Sequence, residues 1–557
     1  MKNRTLKKYR VGGLPIIRTI MDRLELRRIL SSYLPHHGNE KIPAEDTLML
    51  LIANLALGKN PLYELEEWVC SLDHRCIGDE FSAQGQFNDD RFGRALDKLY
   101  SADLSSLMTE IVVAAIKAFD LKLDRYHNDS TSVKAYGKIS GETERGLKLK
   151  NGHSKDHRPD LKQLIYSLTI SSDGAVPIHC KIYLGNRTDD TTHIETWEAL
   201  RKIHGSSDFL YVADSKLCTD EQLSYIESNG GRAITIMPQT WGETSIFMDA
   251  LRSGKIPRQE IWRRDKPGSP LEKPIIEYFY SYDGDHHTGK RNYRIHWIHS
   301  SEKSKRDRAF REERLCKTEM MLLDLNLRIN ARKLKTREKI QEEIDRILSK
   351  NKTNGFFAVD LGVVHEEKIG QVGRGRPGKS TDYRTIKHEI TTMTWRRLTE
   401  PLKQEAKTDG VFPLLCTDEQ MDAKAVLQAY KYQPRLEKRF SQFKSIHNAA
   451  PLFFKKIERV EANMYAFFIA LMIQALIERQ TRNGMDDNKI TSLPLYPEDR
   501  EASHPTTAKI MNIFNDISTY KLLDDGCVVE EHRDELNKTQ HAILELFHLT
   551  EEQFWIA

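Results

Sequence analysis

The sequence predicts an α/β protein: a mixed sheet flanked by helices, interrupted by a strand-rich insertion with a long helix and preceded by an all-helical amino-terminal domain. Three observations carry this prediction. From Leu14 to about Leu121 apolar residues recur at three- and four-residue spacing. Beyond that the period switches to short alternating runs with helical segments between them. After about Pro238 the regular order breaks down for roughly 170 residues, too long for a loop within a compact domain. The expected organisation is 1–121 helical, 122–240 first part of the α/β core, 241–405 insertion, 406–480 second part of the core, and 481–557 a partly helical tail.

Each element follows from its residues. DTLMLLIANLALG, PLYELEEWV, RFGRALDKLY and LSSLMTEIVVAAIKAFDL carry helical stripes, and Asn88 before RFGRALDKLY reads as a cap, since its side-chain oxygen can satisfy an orphan amide. LKLDRYHND is a strand, LKQLIYSLTISSDGAVPIHCKIYLGN a hairpin around Ser172-Asp173-Gly174, and DDTTHIETWEALRKIHG a capped helix. The strand DFLYVAD, the helix TDEQLSYIESNGG and the strand RAITIMP follow. Three strands, helix, strand, helix, strand is the order of a ribonuclease H-like fold, in which the first and fourth strands lie side by side and end at the same edge. Within the insertion YRIHWIHSS, NGFFAVDLG and YRTIKHEITTMTW are strand-like, and Lys303 to Lys350 reads as one long charged helix. DGVFPLLCT is a last core strand, DEQMDAKAVLQAYKYQ a helix, and a further helix runs through Leu452 to Arg479.

Composition bounds the function classes. At 557 residues, with 39% apolar and 30% charged residues, a soluble globular chain with a large core is expected. The net charge is only +4, from 85 basic against 81 acidic residues, so any basic surface has to be local. The basic amino terminus runs into MDRLELRR rather than an uninterrupted apolar segment, so no signal peptide is read and a cytoplasmic location is expected. Met464 to Ile477 is apolar but shorter than the roughly 18 to 20 residues that cross a bilayer, so it reads as a buried helix with no membrane partner. Seven cysteines, with Cys70 and Cys76 loosely spaced, read as reduced and structural rather than zinc-binding.

The chemistry concentrates on three carboxylates. Asp129 in RYHNDSTSV and Asp214 in FLYVADSKLCT stand where extended runs stop; Glu437 in YKYQPRLEKRFSQFK stands in a basic helical stretch. Singly, each has a plain reading: Asp129 fixing a turn, Asp214 capping a helix, Glu437 facing solvent. Asp173, Asp189, Asp190 and Asp409 sit in turn or cap settings and are read as structural. Taken together, the trio is costly to cluster, because like charges and desolvation oppose ionisation, and bound cations remove that cost. Hard oxygen ligands suit Mg²⁺, with Mn²⁺ able to substitute. Two such ions roughly 3.5 to 4 Å apart can activate a water or a 3′ hydroxyl and stabilise the leaving oxygen of a phosphodiester, so DNA is the expected substrate. Lys431, Arg435, Lys438, Arg439 and Lys444 supply local positive charge for its backbone. Lys444, seven residues after Glu437, is expected on the same helix face, with Leu436, Phe440 and Phe443 anchoring another face to the sheet. The basic segment Gly373 to Lys379 is either a solvated loop or an extended arm whose Arg374 and Arg376 enter a narrow minor groove.

The stretch from Tyr430 to Lys444 resembles the signature of the DDE transposases of bacterial insertion sequences: Tyr, Arg, Glu and Lys separated by two, three and six residues. Those places fall on Tyr430, Gln433, Glu437 and Lys444, with glutamine where the pattern has arginine; Arg435 is the candidate substitute, from a different angle. Pro434 is a second departure, since proline suits only a helix's first turn. NDDRFGRALDKLY, YHNDSTSV, VADSKLCT, DGVFPLL and Glu437 to Ala470 resemble the same group. The resemblance implies a DNA transposase of an insertion sequence, which cleaves element ends by hydrolysis and joins the freed 3′ hydroxyl to target DNA. It makes Asp129, Asp214 and Glu437 the catalytic metal ligands, and Tyr430, Gln433, Arg435 and Lys444 DNA contacts. It also makes 1–121 a DNA-binding domain and the insertion a holder of the DNA end. An aromatic residue of the insertion stacks on a flipped base in related enzymes; Trp297 is the candidate here, with Trp262 behind it, and a buried core tryptophan is the competing reading. The implied partners are double-stranded DNA, as element ends and target, and a second copy of the chain, since synapsis needs two protomers or more. A metal-dependent nuclease without strand transfer and a catalytically inactive DNA-binding descendant stay open, though the three intact acids count against the latter.

Overall fold

The first element is a strand rather than a helix. The basic run β1 (Arg4–Arg10) is almost wholly exposed, so no apolar alternation marks it in the sequence. The computed structural model describes residues 4–556 except 36–39, 41, 59–60, 74, 76–85, 136–138, 140, 153–159, 188–191, 255, 267–274, 332–333, 447–453 and 526. Cys76, Asp189 and Asp190 lie outside the described residues. The chain separates into two compact units, residues 1–235 with 428–557 and residues 236–427.

In the first unit the helical spacing after Leu14 gives α1 (Leu14–Arg23), α2 (Leu26–Tyr33), α3 (Ala44–Leu57), α4 (Leu65–Cys70), α5 (Asp89–Ser101) and α6 (Leu104–Phe119). Asn88 caps α5, its side chain accepting from the Arg91 amide at 3.0 Å. The sheet follows: β2 (Arg125–Lys134), β3 (Gln163–Ser171), β4 (Pro177–Leu184), then α7 (His193–His204), β5 (Leu210–Val212), α8 (Asp220–Ser228) and β6 (Arg232–Ile236). Strand order is β4-β3-β2-β5-β6, with β2–β3 and β3–β4 antiparallel and β2–β5 and β5–β6 parallel. The first and fourth strands of the core are thus neighbours. Every residue of β3 is buried, its polar Gln163, Ser167, Thr169 and Ser171 included, as in a strand covered on both faces.

The second unit carries α9 (Gly242–Arg252), β7 (Arg258–Lys266), β8 (Ile275–Tyr282), β9 (Arg294–Ser300), α10 (Ser301–Arg328), α11 (Arg337–Lys350), β10 (Phe357–Gln371), β11 (Tyr383–Arg397), α12 (Thr399–Ala406) and β12 (Val411–Cys416). β12, β9, β8 and β7 form an antiparallel sheet in that order. The single helix expected over Lys303 to Lys350 is two. Asn330 takes a left-handed conformation (φ 64°), and its side chain donates to the Thr391 carbonyl and accepts from the Thr391 amide, both at 2.8 Å. The break lets α10 and α11 pack on each other, burying Leu322, Leu325, Ile340 and Ile344 with Phe357 and Met393 at the root of β10 and β11.

α13 (Ala423–Tyr430) leads back to the first unit, where α14 (Pro434–Ser441) precedes α15 (Ile457–Asp487). The tail then forms the small hairpin β13 (Leu493–Pro494) and β14 (Glu501–Ala502), α16 (Thr507–Ile513), the hairpin β15 (Ser518–Asp524) and β16 (Cys527–Arg533), and α17 (Lys538–Leu546) and α18 (Glu551–Ile556). α15 is long and apolar enough to cross a membrane, yet 94% of its most apolar window is buried inside the protein. It packs against α3, α5 and β4, and its Gln474 amide donates to the Ala56 carbonyl at 2.7 Å. The amino-terminal helices are therefore not a domain of their own. They share one core with the sheet and the tail, and β1 pairs antiparallel with β15.

Candidate active site

Asp129 and Asp214 reach the same level of the sheet through strand register. In the parallel pair of β2 and β5, His127 stands opposite Val212, and each aspartate lies two residues further on. Parallel strands are about 4.8 Å apart, so the backbone positions of the two aspartates lie close to the same level, Asp129 within β2 and Asp214 just past the end of β5. β5 stops at Val212, and the Asp214 carboxylate then accepts from the Lys216 amide at 3.0 Å, turning the chain toward α8. Asp129 was expected at a strand end. It sits instead in mid-strand, because β2 continues to Lys134 paired with β3, while its carboxylate accepts from the Ser130 amide at 2.7 Å.

Glu437 arrives on the first turn of α14, where Pro434 takes the position a helix tolerates. The chain breaks between α13 and α14, so Tyr430 and Glu437 belong to different helices. Gln433, at the start of α14, clamps it to β2. Its amide nitrogen donates to the Asn128 carbonyl at 2.9 Å, and its amide oxygen lies 3.1 Å from Nδ1 of His127. Burial lowers the His127 pKa to about 4, so the neutral ring's Nδ1–H is the donor in that contact. The His127 ring also lies 4.9 Å from that of Tyr432. Further along, Arg439 is buried, pairs with Glu478 at 3.0 Å and donates to the carbonyls of Gly174 and Ala175. Leu436, Phe440 and Phe443 are buried, and Phe443 stacks on Tyr166 of β3 at 4.6 Å and 11°. These contacts hold α14 on the face of the sheet that carries Asp129.

The decisive group is Tyr430. Its hydroxyl is pushed up to about 12, first by burial and then by the negative charges of Asp214, Asp129 and Glu437.

Residues 6–113 match a domain of unknown function, DUF4277. No curated protein matches. Among solved structures the chain is similar to a piggyBac transposase synaptic complex with hairpin DNA, at 10% identity and a TM-score of 0.26, over 52% of this chain and 66% of that one, just under two thirds. Neither similarity assigns a role to any residue.

The remaining sequence-predicted residues separate into those beside the acids and those elsewhere. Arg435 and Lys438 line a cavity of about 270 Å³ with Arg439, Arg482 and His504, and Glu478 is the acid among the described lining residues. Burial, with the charges of Arg435 and Arg439, lowers the Arg482 guanidinium against the opposing pull of Glu478. Gln433 is committed to β2 and Arg439 to Glu478, so neither side chain is free for DNA. Lys444 lies in a π-helical turn, Gln442–Ile446, so the regular seven-residue spacing from Glu437 does not hold. In the second unit Trp297 is 2% exposed and stacks on Phe247 at 3.9 Å, so it is a core residue rather than a base-stacking platform. Trp262 is half-buried against Phe279. Arg374 and Arg376 are exposed between β10 and β11. Asp173 pairs with Arg479 at 2.6 Å and Asp409 with Arg311, the structural roles expected of both. Among the described residues, no three His, Cys, Asp or Glu side chains stand close enough together to hold a metal ion, Asp129, Asp214 and Glu437 included.

Proposed function

We propose that the chain is a DDE-type DNA transposase whose ribonuclease H-like core uses Asp129, Asp214 and Glu437 to cleave element ends and transfer the 3′ hydroxyl. The observation that carries this is the parallel pairing of β2, which holds Asp129, with β5, which ends two residues before Asp214, together with the Gln433 clamp that brings the Glu437 helix onto β2. The strand order of the first unit, with the first and fourth core strands adjacent, supports it.

Carboxylate oxygens are the donor type a hard divalent cation takes, and the Nε2 of neutral His127, two residues before Asp129, is buried without a hydrogen-bond partner. Asp129, Asp214 and Glu437 would hold Mg²⁺ or Mn²⁺, which when bound would polarise the phosphodiester and the attacking oxygen. The chain's own residues do the positioning: Gln433 fixes the start of the Glu437 helix against β2, and Arg435 and Lys438 offer positive charge beside it for the DNA backbone. Double-stranded DNA is the proposed partner, a dimer or larger assembly the proposed working form, and the cytoplasm the proposed location.

The test is nicking and joining of plasmid DNA carrying the sequences that flank the gene, in Mg²⁺. Asp129→Asn, Asp214→Asn and Glu437→Gln should each lower nicking by about 100-fold or more, the scale expected for removing charge stabilisation at a reacting phosphate. Retained nicking in any one variant removes that residue from the site. Nicked but never joined products favour the nuclease without strand transfer.

A further inference from the structure

The second unit carries an element that its own core does not need. β10 and β11 are fifteen residues each, paired antiparallel from Phe357–Arg397 at the root to Gln371–Tyr383 at the far end. At about 3.4 Å per residue the ribbon is roughly 50 Å long. Only the root is packed: Phe357 and Met393 join the α10–α11 core, with Val359, Leu361 and Trp395 against it. Beyond it both faces are open, and Val364, Ile369 and Tyr383 are each more than half exposed. A free two-stranded ribbon is marginal in water, so such a length of it points to a surface that it meets.

The tip shows what that surface is. From Lys368 to Lys387 the chain carries six cations (Lys368, Arg374, Arg376, Lys379, Arg384 and Lys387) against one anion, Asp382. The connecting segment is Gly373-Arg374-Gly375-Arg376-Pro377-Gly378-Lys379. The Gln371 amide donates to the carbonyls of both Gly373 and Gly375, at 3.2 and 2.7 Å, which gathers the carbonyls of the alternate residues on one side. Gly373 and Gly375 have φ of 113° and 141°, values that L side chains rarely adopt. Gly378 has no such backbone demand, and a Cβ there would meet nothing within 4 Å. Nothing in the chain itself therefore calls for a bare backbone at Gly378. A slim, glycine-rich loop bearing arginines at alternate positions matches a minor groove about 6 Å wide, whose negative potential is strongest where A·T tracts narrow it.

We propose that the β10–β11 ribbon is an arm that inserts Arg374 and Arg376 into the minor groove of A·T-rich duplex DNA. It deepens the DNA reading given above and rests on it for the choice of polymer. Pro377 follows the arginines at the apex and supplies an apolar face against the groove wall.

The experiment is fluorescence anisotropy of the full-length protein on A·T-tract and G·C-rich duplexes of equal length, in EDTA. Wild type should prefer the A·T-tract duplex, and netropsin, which occupies that groove, should displace it. Arg374→Ala with Arg376→Ala should lose about ten-fold or more of A·T-tract affinity and flatten the salt dependence by about two charges' worth. Arg374→Lys with Arg376→Lys keeps the charge, so it should retain G·C-rich binding while losing the preference. Equal affinity of wild type and both double variants for the two duplexes, with no netropsin competition, would overturn the arm. Because EDTA removes the carboxylate chemistry, failure of Mg²⁺-dependent nicking is a separate result that leaves this one standing.

Discussion

Gln433 shows how a residue's place and its work can differ. Spacing puts it where a DNA-contacting arginine is expected, yet both ends of its amide are bonded to β2. Gln433→Ala leaves the Asn128 carbonyl without that donor, so it should destabilise the protein by about 1–3 kcal/mol. Nicking should then fall through kcat, with KM for DNA nearly unchanged, because Glu437 loses its support rather than the DNA a ligand. Urea denaturation and the DNA-concentration dependence of nicking check this together. A raised KM at full stability would return Gln433 to the DNA. The partner is invisible in sequence because it is a backbone carbonyl some three hundred positions away. His127 was within reach, lying two residues before Asp129 on the same strand face; Tyr432 carried no signal of its own.

α14 is an element held by its far side. Phe443 fills the space over Tyr166, and Phe467 meets it edge-on at 5.4 Å. Phe443→Ala should cost about 3–5 kcal/mol, the usual range for a buried phenylalanine. Arg439→Ala removes the closest cation from buried Glu478, which keeps Gln442 and the more distant Arg482, and should cost about 1–3 kcal/mol. Thermal or urea unfolding of both variants tests the anchoring, and losses under about 1 kcal/mol would mean that the helix is held elsewhere. The apolar face of this helix was legible because Leu436, Phe440 and Phe443 recur at helical spacing. The course of Lys444 was not, since a π-helical turn leaves no mark in apolar spacing. The same limit hid the break between α10 and α11: Asn330 looks ordinary in a charged run, and its bonds to Thr391 come from a strand 61 residues later. β1 was missed because an exposed basic edge strand has no buried face to set its period.

At the scale of the whole molecule, several histidines among the described residues are held in their neutral form. His127, His179, His296 and His299 are each lowered to about 4, chiefly by burial, from about 6.5 in an unfolded chain. Between those values the unfolded state binds more protons, so stability should fall as pH drops from about 6.5 toward 4 and be insensitive to these groups above about 7. Urea midpoints measured from pH 7.5 to 4.5 test the sign. A midpoint that stayed level or rose on acidification would show that these rings are solvated. The parallel neighbours β2 and β5 were legible from element order alone. The sharing of one core by the first helices, the sheet and the tail was not, because α15 reads as apolar throughout and gives no clue to which helices it meets.

The pairing of β1 with β15 joins positions more than five hundred residues apart. Until translation delivers Ser518–Asp524, the opening strand has no mate, and buried Asp73 lacks the Thr519 hydroxyl that donates to it at 2.5 Å. A loop of that span makes this small sheet one of the slowest contacts to close, so its formation should lag behind the local helices during refolding.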